Sequence, residues 1–166
     1  LRHYTVTENN EVWGIDITYI PMPRGSMYLC ALIDWHARKI IAITLSNTLE
    51  TEMVIRTLEK GFRRHGIPKI INSDQGSQFT SNEYIALLKE KGIKISMDGK
   101  GRATDNAITE RFFRNLKQES LYIYAYETVP EIKALIDNYI TFYNTERIHQ
   151  SLDYWTPDEI YNLEVV

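Results

Sequence analysis

A single cysteine, Cys30, leaves no partner for a disulfide and no CxxC pair for zinc. It sits in the apolar run Tyr28 to Ile33 and reads as a buried core thiol, so a reducing cytoplasm is the expected compartment. No apolar stretch approaches the roughly 20 residues needed to cross a bilayer. The polar opening Leu1 to Asn10 lacks the apolar segment of a signal peptide. No membrane partner is expected. Internal repeats and low-complexity tracts are missing too. So is an excess of positive charge: 19 Lys and Arg stand against 22 Asp and Glu, for a net charge of −3. A protein that grips a polyanion normally shows a basic footprint. Here any such footprint must be local, or lie on modules outside this chain. Because the first residue is Leu rather than Met, the chain is expected to be a piece of a longer protein.

What is present suits one compact domain. The 166 residues are 43% hydrophobic and 25% charged, enough to bury a core without disulfides or a structural metal. Residues 12–20 alternate like a strand, with Trp13, Ile15, Ile17 and Tyr19 on one face and Asp16 and Thr18 on the other. A turn at 21–26 and strands at 27–34 and 39–46 complete an antiparallel meander. At 50–65 the period changes to that of a helix, through Val54, Leu58 and Phe62, ending near Gly66. A strand at 69–72, a helix at 81–91 stopped by Gly92 and a strand at 93–96 follow. Helices at about 105–123 and 130–143 precede an irregular tail. The order βββαβαβαα predicts an α/β fold, a mixed five-stranded sheet with helices on both faces. By analogy that is the ribonuclease-H-like architecture.

Three carboxylates stand out. Asp16 lies mid-strand among apolar neighbours, where a charge needs a partner or a metal, although a solvent-facing strand residue reads the same way. Asp74 follows a strand, in Ser73-Asp74-Gln75-Gly76-Ser77-Gln78, where sites form in open α/β sheets; a plain turn aspartate is the alternative. Glu110 lies in the first turns of a helix capped near Thr104 or Asp105. Ile108, Phe112 and Leu116 form that helix's apolar stripe, and Glu110, Arg114 and Lys117 its opposite face. An ordinary i, i+4 salt bridge on a solvated face would look the same.

Thirty-five residues separate Asp74 from Glu110. With that spacing and its flanks the chain resembles the DDE transposases and retroviral-type integrases, and among them the bacterial insertion-sequence transposases of the OrfB type. Trp13-Gly14-Ile15-Asp16-Ile17-Thr18-Tyr19 is similar to their first motif, and Ser73 to Phe79 to their second. Asp105 to Phe113, followed by Leu116-Lys117 and Glu119, is similar to their third. Tyr143-Asn144, Arg147, His149, Leu152 and Pro157 are similar to their C-terminal signature. The resemblance covers about residues 10–160. It implies a catalytic and metal-binding triad of Asp16, Asp74 and Glu110. It further implies two Mg2+ ions when DNA is bound, with Mn2+ substituting, and DNA strand cleavage followed by 3′-hydroxyl strand transfer without a covalent protein–DNA intermediate. Asp16 would bridge the ions.

By the same resemblance Arg114 and Lys117 contact element-end DNA. Lys100 and Arg102, on the glycine-rich stretch 98–102, touch target or donor phosphates or are solvated loop charge. Gln75 and Gln78 either hydrogen-bond DNA or order the turn around Asp74, and Asn106 supports the helix start or approaches DNA. Trp13, Phe112 and Phe113 are assigned to the core rather than to base stacking, and Arg147 and His149 either meet phosphate or anchor the tail, the tail being preferred. Asp34 is a turn or supporting residue.

The implied division is a linker at 1–10 from an N-terminal helix-turn-helix region, an integrase catalytic core at 11–145 and a C-terminal tail at 146–166 packing on it. DNA ends, target DNA and further copies of the protein are the expected partners. A ribonuclease H or Holliday-junction nuclease would share fold and metals but carry a fourth carboxylate and another spacing. A catalytically silent, domesticated DNA-binding module is the other alternative.

Overall fold

The computed structural model describes residues 1, 3–99 and 106–163. Strands β1 (Val12–Pro21), β2 (Ser26–Asp34) and β3 (Ile40–Ser46) form the antiparallel meander. Helix α1 (Thr51–His65), β4 (Ile70–Ser73), α2 (Asn82–Glu90) and β5 (Lys94–Met97) follow. Both β4 and β5 run parallel to β1, giving a mixed five-stranded sheet of order β3-β2-β1-β4-β5. The connections through α1 and α2 make this possible, since parallel strands need a long crossover. Glycines with positive φ, Gly66 and Gly92, let the chain leave α1 and α2 at conformations that side chains rarely adopt.

Period-two alternation splits the core between the two sheet faces. Trp13, Ile15, Cys30 and Leu32 pack with Val54 and Leu58 of α1 and Tyr84 and Leu88 of α2. The alternate residues Ile20, Leu29, Ala31 and Ile33 meet α3 (Ala107–Leu116) and α4 (Val129–Thr145) through Phe112, Leu116, Ile132 and Ile136. Cys30 is fully buried, as its apolar setting implied. Asp16 therefore projects from the middle strand towards the α3 side, while Trp13 and Ile15 face away.

Two local expectations change. The helix expected over 105–123 is α-helical only over Ala107–Leu116 and continues as a π-helical turn, Lys117–Leu121. Its N-cap is Asn106, not Thr104 or Asp105, both of which lie outside the described residues. The tail is not wholly irregular: it holds a 3-10 turn, Gln150–Leu152, and a helix α5, Pro157–Leu163.

Motif residues far from the carboxylates explain themselves structurally. The Asn144 side chain accepts from Ile40 N at 2.9 Å and donates to Ile40 O at 3.1 Å, fastening α4 to β3. Arg147 pairs with Glu119 at 2.8 Å, and the Tyr139 hydroxyl donates to the same carboxylate at 2.7 Å. His149 packs edge-on against Tyr143, ring centroids 4.7 Å apart. Asp34, wholly buried, accepts from Asn10 N and Ala37 N and so closes the β2–β3 turn. Helix α5 packs on α4, and its Tyr161 bonds to the Asn10 side chain.

Candidate active site

Each carboxylate is delivered by a different element, and the sheet topology brings those elements together. Asp16 is mid-β1, opposite Ala31 of β2. Asp74 stands one residue beyond β4, the parallel neighbour of β1. Glu110 occupies the first turn of α3, which packs on β1 and β2. Asp16 walls two cavities. One, of about 370 Å³, it shares with Thr18, Glu110, Arg114, Lys117 and Tyr122. The other, of about 260 Å³, it shares with Asp74, Tyr19, Gln78 and Gly76.

The electrostatics mark Asp16 as the unusual member. Burial pushes its carboxyl up to about 7; the Ile17 amide, donating at 2.8 Å, opposes this. Asp74, Glu110 and Asp98 then add like-charge repulsion in the same direction. A half-buried carboxylate facing other acids is costly as an anion and favourable as a ligand to a cation.

Asp74 is exposed, with one carboxyl oxygen held by Gly76 N at 2.7 Å. Glu110 is exposed as well. Among the described residues the i, i+4 ion pairs are Arg56–Glu52 and Lys133–Asp137, so Glu110 is not neutralised by Arg114. The bland salt-bridge reading of that helix face is not what the structure contains.

A close approach ties Glu110 to Asp16. A Cβ on Gly14 would lie 2.5 Å from Trp35 Nε1 and 2.9 Å from Thr109 Oγ1. Only glycine lets the α3 N-terminus sit this near β1. Lys117 Nζ donates to Thr18 Oγ1 at 2.8 Å, so the π-helical turn begins with a lysine bridged to the Asp16 face of β1. Burial lowers the Lys117 pKa. Asn106 is buried at the head of α3, and neither of its side-chain polar atoms has a partner among the described residues.

The glutamines are engaged within the fold. Gln75 Nε2 donates to Asp98 O at 3.0 Å and Gln78 Nε2 to Leu49 O at 3.3 Å. Lys100 and Arg102 lie outside the described residues. Sequence reasoning missed the approach of Asp98 to Asp16. It follows β5 directly, as Asp74 follows β4, and that shared strand-end position was the available signal.

Among the described residues no three His, Cys, Asp or Glu side chains form a ready metal cage. The donor set still fits a hard divalent cation. The candidate ligands, the carboxylates of Asp16, Asp74 and Glu110, are all oxygen donors, and magnesium retains waters and substrate oxygens rather than requiring a full protein shell.

The sheet order and two-sided helix packing define a ribonuclease-H-like fold of the type found in retroviral integrase cores. The likeness extends to the simian T-cell lymphotropic virus intasome (TM-score 0.82, 18% identity, covering 93% of this chain and 55% of that one). It extends also to the HTLV-2 integrase catalytic core domain solved in complex with magnesium (TM-score 0.73, 18% identity, 93% and 97% covered).

The chain belongs to the integrase core domain family, which matches over residues 6–103 and, by a second model of that description, over 91–157. It is 37% identical to the transposase for insertion sequence element IS904 of Lactococcus lactis, over 94% of this chain and 63% of that protein. It is 36% identical to the putative transposase InsK for insertion sequence element IS150 of Escherichia coli, over 97% and 58%. An uncharacterized transposase-like protein of Haemophilus influenzae is also 36% identical, over 94% and 73%. The chain thus spans about three-fifths of the length of the first two relatives. No described helix is long and apolar enough to cross a membrane.

Proposed function

We propose that this chain is the catalytic core of an insertion-sequence DDE transposase, cutting DNA strands and joining their 3′-hydroxyl ends to target DNA. The observation that carries the reading is the shared position of Asp16, which walls one cavity with Glu110 and a second with Asp74. Asp16, Asp74 and Glu110 would hold two divalent ions, Asp16 serving both and Asp74 and Glu110 one each; Mg2+ would be the natural ion, with Mn2+ substituting. Bound ions supply activation of the attacking oxygen and stabilisation of the leaving oxygen in an in-line displacement.

The chain's own residues do the rest. Gly76 N holds one Asp74 oxygen, and the other would serve a metal ion. Arg114 and Lys117, flanking Glu110, hold element-end phosphates as charge-assisted donors. Gln75 and Gln78 reach DNA only by giving up their bonds to Asp98 and Leu49, so ordering the Asp74 turn is their first role. Asn106 supports the start of α3 through its carbonyl, which accepts from Glu110 N, or approaches DNA, and Lys100 and Arg102 contact target or donor phosphates. Residues 1–10 connect to an N-terminal helix-turn-helix region that reads the element ends. Residues 11–145 are the core and 146–166 the tail packed on it. Copies of the protein assemble to bring two DNA ends together in the bacterial cytoplasm. The HTLV-2 core, solved in a dimeric and a trimeric form, supports self-association.

The test is strand transfer of a pre-cut labelled element end into target duplex in Mg2+ or Mn2+. Wild type should join the DNAs and Asp74→Asn should not; joining by the folded variant would refute the assignment. Asp98, acting on Asp16, favours a second reading, a ribonuclease-H-like nuclease with a fourth carboxylate. Selective cleavage of an RNA/DNA hybrid, without strand transfer, would establish it instead.

A further inference from the structure

On one flank of α3 lies a cavity of about 510 Å³ whose lining residues include no acidic side chain. Three arginines from three elements meet there: Arg38 of the β2–β3 turn, Arg111 of α3 and Arg147 beyond α4. Tyr143, His149 and Gln150 complete the polar wall. Within a chain of net charge −3 this concentration of guanidinium is local and one-signed.

The three cations are not equally free. Arg147 is paired with Glu119, and Arg38 donates to the Trp35 carbonyl. Arg111 is exposed and, among the described residues, forms no ion pair; the cavity's lining offers it no carboxylate. Burial lowers the Arg38 pKa, and Arg111 acts in the same direction by repulsion, so the two guanidiniums share one space. His149 is 8% exposed, and its Nε2 has no hydrogen-bond partner among the described residues; burial pushes its pKa down to about 4, so the ring is neutral. A tetrahedral oxyanion would answer Arg38 and Arg111 at once, the two supplying planar forks suited to phosphate oxygens.

Position relates the cavity to the carboxylates. On a helix, residues three and four apart are surface neighbours. Glu110 and Arg114 are therefore adjacent, as are Arg114 and Arg111. The Arg114 side chain lines the Glu110 cavity and Arg111 lines this one. A strand lying over the exposed face of α3 meets Glu110, Arg114 and Arg111 in turn.

We propose that the cavity binds a backbone phosphate of the DNA strand leaving the Glu110 site, with Arg111 and Arg38 as its donors. The assignment of DNA as the anion rests on the function proposed above.

The experiment is fluorescence anisotropy of a labelled 30-base-pair duplex with the whole chain in EDTA, over a range of salt. Each phosphate neutralised contributes about 0.9 to the slope of log K against log salt. Arg111→Gln should flatten the slope by about 0.9, Arg38→Gln by a similar amount, and Arg111→Lys should restore the slope. Arg111 is exposed, so the first variant keeps its fold; unchanged melting temperature verifies this.

Equal slopes in wild type and both Gln variants would overturn the cavity assignment while leaving the strand-transfer reading standing. Absence of duplex binding by wild type, even at low salt, would overturn both. A third arm follows the Arg111 Nε resonance by NMR. A shift with inorganic phosphate that persists under saturating DNA would make the ligand a free anion, and that too would overturn the DNA assignment.

Discussion

Replacing Asp16 by Asn should make the metal-free protein more stable above neutral pH, while removing strand transfer. The carboxyl rises from 3.8 to about 7 in the fold, first through burial and then through Asp74, Glu110 and Asp98. An acid whose folded pKa lies above its unfolded value binds more protons in the native state. Its favourable contribution is complete below pH 3.8 and is lost as pH climbs to about 7. At about 1.36 kcal/mol per unit, native Asp16 costs up to about 4 kcal/mol at pH 8. Asn carries no charge and keeps an acceptor for the Ile17 amide. Asp16→Asn should therefore stabilise by about 2–4 kcal/mol at pH 8 and by less than about 0.5 kcal/mol at pH 4. For a domain of this size that is on the order of 10 °C in melting temperature at pH 8. The assay is thermal melting in EDTA at the two pH values. Equal or lower melting temperature for the variant at pH 8 would refute the account of Asp16 as a strained, cation-seeking carboxylate.

Three other perturbations follow from the packing. Gly14→Ala places a methyl 2.5 Å from Trp35 Nε1. It should cost about 1–3 kcal/mol by overpacking and lower the strand-transfer rate on the order of 100-fold as the head of α3 moves, read by melting and single-turnover joining. Asn144→Ala removes both bonds to Ile40 and leaves two backbone groups unpaired. Urea denaturation should show a loss of about 2–4 kcal/mol with little change in m. Lys117→Gln removes a cation beside Thr18, so DNA affinity should lose about 0.9 of its salt slope with the melting temperature nearly unchanged.

The sheet was legible because its strands obey period two. The alternation through Trp13, Ile15 and Ile17 puts Asp16 on the opposite face of its strand, and the packing makes that the α3 face. Asp74 and Glu110 were legible through spacing and flanking motifs, not through local chemistry, for each alone has a bland alternative. Other features were not legible, for identifiable reasons. Helix α5 has only seven residues, too few for a period to emerge. The π-helical turn keeps the apolar positions of an α-helix, so its change of hydrogen bonding leaves no pattern. The roles of Asn144 and Glu119 depend on partners 104 and 28 residues away. The three-arginine cavity joins residues 38, 111 and 147, which have no common signature in one dimension. Gly14 was visible within its motif, but its reason, the approach of Thr109 and Trp35, is a tertiary fact.

The central claim is that three carboxylates on three elements act as one divalent-metal site for DNA strand transfer. It is tested most directly by calorimetric titration of Mn2+ into the protein bound to a pre-cut element-end duplex, comparing wild type with Asp16→Asn, Asp74→Asn and Glu110→Gln. The account predicts two ions bound by wild type, affinity rising with pH through about 7 as Asp16 ionises, and loss of at least one ion in every variant. Metal binding unchanged in all three folded variants would contradict it.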